Sequence, residues 1–213
     1  MTNELIIKTE HLILRPLEKA DFNEVLDYYA LPDVQRYLDW KARDKIEARS
    51  AFDQMRKQTR LTRPGDTLTV CVVRKSDSKL MGHVSLKWTD ATAQQGEIRF
   101  AMGPAFRRKG YASEAVKAVI TYAFEDRRMH RIFARTDARN EPSARLLKTL
   151  GLRLEAHYRE HAFFQGEWDE ELHFAILDRE WLRGSKHCVD EAGDLCSRFT
   201  LCSQRDYECG DLG

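Results

Sequence analysis

Neither sign of charge dominates this chain of 213 residues: 35 lysines and arginines face 34 aspartates and glutamates, a formal net charge of +1. That balance offers no global field for a polyphosphate, so nonspecific binding of DNA or RNA is not expected. No apolar run approaches the roughly 20 residues a membrane-spanning helix needs, so no membrane partner is expected either. Met1-Thr2-Asn3-Glu4 opens without a basic stretch leading into an apolar one. A secretory signal is therefore not expected, and the expected location is the cytoplasm. Cysteine is scarce until the end of the chain. Cys71 sits in the apolar run Leu68-Thr69-Val70-Cys71-Val72-Val73, as a buried inert thiol would. Cys188, Cys196, Cys202 and Cys209 follow Gly184-Ser185 in a polar stretch without periodicity, and no two are spaced as in C-x₂₋₄-C. That stretch reads as a mobile tail, 184–213, appended to one domain, 1–183.

Two phosphate fingerprints are missing as well. There is no G-x-x-x-x-G-K-[ST], which argues against a P-loop nucleotidase, and no G-x-G-x-x-G opening a helix, which argues against a dinucleotide fold. A different anion site is present. Glu97-Ile98-Arg99-Phe100-Ala101-Met102 has strand character and ends at Gly103-Pro104. Beyond Arg107-Arg108-Lys109-Gly110-Tyr111-Ala112, apolar residues fall at Ala115, Val116, Val119, Ile120, Ala123 and Phe124, the spacing of a helix with one buried face. The first turn of a helix carries unpaired N–H groups and a partial positive charge. Gly110 lets the backbone come close to an anion, and the arginines and lysine add charge-assisted donors. A phosphorylated ligand is expected here.

The string R-x-x-G-x-A between strand and helix resembles the pyrophosphate-binding motif of the GNAT acetyltransferase superfamily. The resemblance runs from about Thr9 to Trp181. His11-Leu12-Ile13-Leu14-Arg15-Pro16-Leu17 with Ala20-Asp21 is similar to the opening of the branch that includes ribosomal-protein N-terminal acetyltransferases. Asn140, Ser143 and Gly151 are similar to its N-x-x-S-x-x-x-x-x-x-x-G signature. Gly166-Glu167-Trp168, Leu172-His173-Phe174-Ala175-Ile176-Leu177 and Glu180-Trp181 are similar to its last hairpin.

The coarse elements agree with that fold. Strand patterns cover 11–17, 67–75, 80–89, 97–102, 130–137, 153–165 and 170–177, and Ser76-Asp77-Ser78-Lys79 reads as a hairpin turn. Helical patterns cover 21–31, 44–61, the segment after Gly110, and Pro142 to Gly151. The expected fold class is α/β (α+β), the GNAT acyl-CoA N-acyltransferase fold, with a mixed, mostly antiparallel sheet flanked by helices.

The resemblance implies acetyl-CoA as co-substrate and transfer to a primary amine. Its pyrophosphate would lie on Arg107, Arg108, Lys109, Gly110, Tyr111, Ala112 and Ser113, with Tyr111 turned away to pack. The thioester carbonyl would meet a backbone N–H near Ala101 or Met102, where one donor is worth about 3 kcal/mol in the transition state. Asn140 would bind the pantetheine arm and Ser143 would stand near the sulfur, although both residue types also favour helix starts. Many relatives place a tyrosine acid on this helix; none occurs between Asn140 and Gly151, so Ser143 or water would take that role. Glu97 is the candidate base, directly or through water. An α-amine with a pKa of about 7.7–8.0 demands less of a base than a lysine at about 10.4.

His157-Tyr158-Arg159-Glu160-His161 spells H-x-x-E-H, a zinc signature when both histidines share a helix face. On a strand, residues four apart are separated by about 13 Å, too far to share one ion. No metal is expected, and either histidine would at most line an acceptor pocket. His83 reads more readily as a strand histidine on a polar face than as a substrate contact, and Trp40 and Trp88 read equally as pocket aromatics or core. The leading expectation is an acetyl-CoA-dependent N-acetyltransferase that modifies a protein N-terminal α-amine by direct transfer, as a monomer or homodimer. The alternatives are a small-amine acetyltransferase (polyamine, aminoglycoside or amino acid) and a non-catalytic acyl-CoA-binding regulator.

Overall fold

The computed structural model describes residues 5–31, 34, 45–164, 166–185 and 200–201. In chain order the elements are β1 (Ile7–Lys8), β2 (Leu12–Arg15), α1 (Phe22–Tyr29), α2 (Lys45–Lys57), β3 (Thr67–Arg74), β4 (Leu80–Asp90) and β5 (Gln95–Met102). They continue with α3 (Tyr111–Glu125), β6 (Arg131–Asp137), α4 (Glu141–Thr149), β7 (Arg153–Phe164), β8 (Glu167–Leu177), α5 (Asp178–Ser185) and β9 (Thr200–Leu201). The strands form one sheet in the order β7-β8-β6-β5-β4-β3-β2-β1-β9. Among the described residues β5 and β6 are the one parallel pair, so the sheet is mixed and mostly antiparallel, as expected.

Both faces of the sheet are covered, which is why β3 reads as an unbroken apolar run. On one face Val70, Val72, Val84, Leu86 and Ile98 pack with Val116, Val119, Ile120 and Phe124 of α3 and Leu147 of α4. On the other face Cys71, Val73 and Leu80 pack with Phe22, Val25 and Tyr28 of α1 and Phe52 of α2. Cys71 is fully buried; burial pushes its thiol up to about 12, so it is chemically quiet.

The expected elements occur, with ends that shift for identifiable reasons. The second helix ends at Lys57 rather than running to Leu61, because the chain turns to pair with β3: Thr59 bridges Leu68, and the Thr69 N–H donates to Gln58 O at 2.7 Å. β8 begins earlier than expected, directly after Gly166, whose φ of 85° closes the hairpin. Three elements had no sequence expectation. β1 and β9 are strands of only two residues, and α5 carries helix to Ser185, past the expected boundary after 183. Of the remaining tail, Thr200–Leu201 pairs antiparallel with β1. Trp40, Cys188, Cys196, Cys202 and Cys209 lie outside the described residues.

β5 and β6 pair only from Gln95–Glu97 against Arg131–Phe133. Beyond that point both continue, β5 to Met102 and β6 to Asp137, while each stays paired to its outer neighbour. The sheet therefore splits into a wedge at its centre. Gly82 of β4 sits beside that wedge with no room for a side chain: a Cβ would collide with Ala101 O and lie 2.7 Å from Met102 Sδ. Gly82→Ala should push β5 away from β4 at a cost of about 1–3 kcal/mol. A lowered melting temperature together with reduced activity is expected; an unaltered protein would show that β4 and β5 are not held this tightly.

Candidate active site

The wedge opens into a cavity of about 370 Å³. His83 and Ser85 of β4, Glu97, Arg99 and Ala101 of β5, and Arg135 and Asp137 of β6 line it, each set spaced by two residues and so on one sheet face. Tyr29 of α1 and Met55 of α2 close one side. Asn140 and Ser143 of α4, with Glu167, Asp169 and Glu171 of β8, close the other.

Strand alternation fixes which backbone groups face the wedge. The Gly103 N–H donates to Met81 O at 2.8 Å, so Gly103 faces β4. Ala101, two residues back, faces β4 with it. Its carbonyl is the atom that crowds Gly82. The N–H groups of Phe100 and Met102 then point toward the side that β6 has left. Of the two expected donors for a thioester carbonyl, the geometry favours Met102 over Ala101.

After β5 the chain makes a short turn and enters α3 through Arg108 (φ 61°) and Gly110 (φ 83°). No side chain caps this helix. Its first intrahelical bond runs from the Glu114 N–H to Gly110 O at 3.0 Å. The N–H groups of Tyr111, Ala112 and Ser113 accordingly have no backbone acceptor among the described residues. A Cβ built on Gly110 meets nothing within 4 Å, so the concavity in front of the helix is open. Arg107, Arg108 and Lys109 are exposed at its rim. Tyr111 turns away, as expected, with Arg74 5.8 Å from its ring centroid and His11 edge-on at 6.3 Å. Free amides, a glycine-only turn and basic side chains fit a pyrophosphate. Around the corner, Asn140 caps α4 by accepting from the Ser143 N–H at 3.3 Å.

Glu97 is buried, its side chain 5% exposed. Arg99 donates to it at 3.0 and 3.2 Å and Arg135 at 2.9 Å. Burial works against its ionisation, but the hydrogen bonds from the two arginines outweigh that, and its carboxyl lies below the usual range. It stands where a base was expected, yet as a tightly held anion. The cavity's other acids are partly committed: Asp137 and Glu167 hold Arg139, and Glu171 holds His173.

His83 is 7% exposed, and the sequence alone gave little reason to single it out. Tyr28 and Tyr29 flank it with hydroxyls 2.7 Å from Nδ1 and 3.3 Å from Nε2. Burial lowers its pKa from 6.5 to about 4. His157 and His161 lie on strand β7, as the spacing argument required, and neither lines the cavity; His157 pairs with Glu170 at 2.8 Å. Among the described residues no group of His, Cys, Asp or Glu is gathered to hold a metal ion. Trp88 packs against the core edge, its Nε1 donating to Asp90 O, away from the cavity.

A helix start with free amides beside a split sheet, leading to a cavity lined by charged side chains, is an arrangement suited to an acyltransferase. Residues 11–153 match the family described as Acetyltransferase (GNAT) domain, and the chain belongs to that family: it is a GNAT-family N-acetyltransferase. It is 28% identical over 175 residues to the uncharacterized N-acetyltransferase YnaD of Bacillus subtilis (strain 168), covering 82% of this chain and 98% of that one. Spermidine N(1)-acetyltransferase of Escherichia coli (strain K12) is 22% identical, over 81% of this chain and 89% of that protein. [Ribosomal protein uS5]-alanine N-acetyltransferase of the same strain is 28% identical over a shorter stretch, 41% of this chain and 45% of that protein. An acetyltransferase (GNAT family) structure from Bacillus anthracis superposes with a TM-score of 0.72 at 27% identity, covering 82% of this chain and 99% of that one.

Two measurements test this site. Gly110→Val places a β-branched residue at positive φ, a cost of roughly 1–2 kcal/mol, and aims its methyl groups into the anion seat. Calorimetry should show loss of coenzyme A binding by a folded protein; unchanged affinity would dismiss the seat. The second concerns His83. Between pH 6.5 and about 4 the unfolded chain takes up a proton at His83 and the folded chain does not. That contribution is intact above 6.5 and lost as pH falls, by roughly 3 kcal/mol across the window. Urea titrations over this range should show the loss in the parent protein and a shallower one in His83→Gln.

Proposed function

We propose that the acceptor is the α-amine of a protein N-terminus and that acetyl passes to it directly in a ternary complex. The observation that carries this reading is the cluster of buried Glu97 with the more exposed Arg99 and Arg135 on the cavity wall, with Asp169 nearby and without an ionic partner among the described residues. An N-terminus brings an ammonium beside a peptide carbonyl. Carboxylates suit the first and guanidinium donors the second. A polyamine has nothing for the arginines.

In this reading the helix start at Tyr111–Ser113 and the residues Arg107–Gly110 hold the pyrophosphate of acetyl-CoA. Asn140 and Ser143 lie along its arm, and the Met102 N–H receives the carbonyl oxygen. The co-substrate supplies an activated acetyl thioester; the chain supplies position and charge. Glu97, ionised and clamped, draws in the amine as a cation rather than taking its proton in the rate-limiting step. A cytoplasmic location belongs to the same reading, supported by the absence, among the described residues, of any helix long and apolar enough to cross a membrane.

One observation favours a small-amine acceptor as the second reading. The cavity wall carries five carboxylates (Glu97, Asp137, Glu167, Asp169, Glu171) against three arginines (Arg99, Arg135, Arg139). Release of free coenzyme A thiol, measured with N-terminal peptides, polyamines and amino acids, separates the two. Turnover with peptides is expected; turnover with polyamines alone would replace the leading reading. Glu97→Gln should raise KM for the acceptor about tenfold or more and move kcat less. A fall in kcat with unchanged KM and a displaced pH profile would instead restore Glu97 as the base.

A further inference from the structure

Acetyl transfer must move two protons, one off the attacking amine and one onto the departing sulfur, and α4 carries no tyrosine for either task. A phenol does stand on the opposite side of the cavity. Tyr29 and His83 both line it, and His83 sits directly opposite Ala101 in the β4–β5 register, one residue from the Met102 N–H. The Tyr29 and His83 rings lie nearly parallel, 14° apart with centroids separated by 5.6 Å.

The hydrogen-bond arithmetic selects a tautomer. Tyr28 is buried at 6% exposure, and among the described residues its hydroxyl has one polar partner, His83 Nδ1 at 2.7 Å. A buried hydroxyl left without an acceptor is costly, so Tyr28 donates and Nδ1 is the bare nitrogen. A neutral imidazole then carries its proton on Nε2 and donates it to the Tyr29 oxygen at 3.3 Å. Among the described residues the proton of Tyr29 itself has only Met55 Sδ at 3.8 Å, a weak acceptor. Tyr29 is thus held with one lone pair occupied by His83, a second lone pair available, and its own proton unspent at the cavity surface.

We propose that Tyr29, oriented by His83 and Tyr28, is the proton shuttle of acetyl transfer. The bound ammonium first gives its extra proton to solvent, and the neutral nitrogen then bonds to the acetyl carbon. The carbon–sulfur bond breaks, the amine proton passes to the Tyr29 oxygen, and the Tyr29 proton passes to the sulfur, leaving amide, free thiol and an unchanged phenol. Burial raises the pKa of Tyr29 and lowers that of His83. Such a pair makes a weak acid and a weak base taken singly, yet suits a shuttle, because no member has to hold a charge. Tyr29 is the catalytic residue; His83 and Tyr28 position it.

This inference rests on direct transfer but not on which amine is the acceptor. Initial-rate patterns with both substrates varied come first, since a ping-pong pattern would overturn direct transfer and the shuttle with it. With whichever amine turns over, Tyr29→Phe should lower kcat by about 10²–10⁴, leave both KM values within about threefold, and abolish the solvent deuterium isotope effect of the parent enzyme. His83→Gln, which still donates to Tyr29, should retain more activity than His83→Leu. Tyr29→Phe with kcat within about threefold of the parent, or with its isotope effect intact, would refute the shuttle. If the phenylalanine variant misfolds, 3-fluorotyrosine at position 29 gives the reading: a shifted pH dependence of kcat supports the shuttle, and an unshifted one overturns it.

Discussion

The site exists because β5 and β6 stop pairing after Glu97. A parallel pair inside a sheet normally continues until one strand ends; here both strands continue and only the ladder ends. The N–H and C=O groups that face the wedge are left for another occupant, since backbone polar groups withdrawn from water need partners. A long, thin molecule with amide groups of its own is suited to enter such a gap. The parting also determines what lies on each side of it. The face with α3 and α4 offers helix starts, and the face with α1 and α2 offers rings and charged side chains.

Most of the charge in the cavity is arranged as held pairs. Glu97 with Arg99 and Arg135, Arg139 with Asp137 and Glu167, and Glu171 with Arg135 each have a partner already close, while Asp169 has none among the described residues. A ligand that reaches the paired groups exchanges one partner for another. That favours selectivity among amines over sheer affinity, because the wrong acceptor leaves an arginine or a carboxylate poorly matched.

Much of this was legible in the sequence, and the limits were physical. The α3 periodicity and the Gly110 turn are local features that the chain states directly, so the helix and its glycine entry were legible from residues alone. The β3 run and the Ser76–Lys79 hairpin were equally local. What escaped depends on residues far apart in the chain. His83 meets Tyr28 and Tyr29 across 55 and 54 positions, and Glu97 meets Arg135 across 38. Nothing in a single strand pattern marks those meetings. Glu97 lines the cavity, but its clamped state follows in part from Arg135 on β6 and so lay beyond a reading of β5. The short β1 and the helix α5 escaped for another reason: two residues, or about two charged turns around Trp181, give periodicity too little to work on.

The first turn of α3 is also moored to the opening of the sheet. Glu114 accepts from Thr9 Oγ1 at 2.5 Å and from the His11 N–H at 2.8 Å, and its second oxygen lies 3.0 Å from His11 Nδ1. The segment between β1 and β2 is thereby a tether on the very turn that presents its amides to an anion. A change at Thr9 or His11, far from α3 in the chain, therefore loosens Glu114 and with it the first turn of that helix.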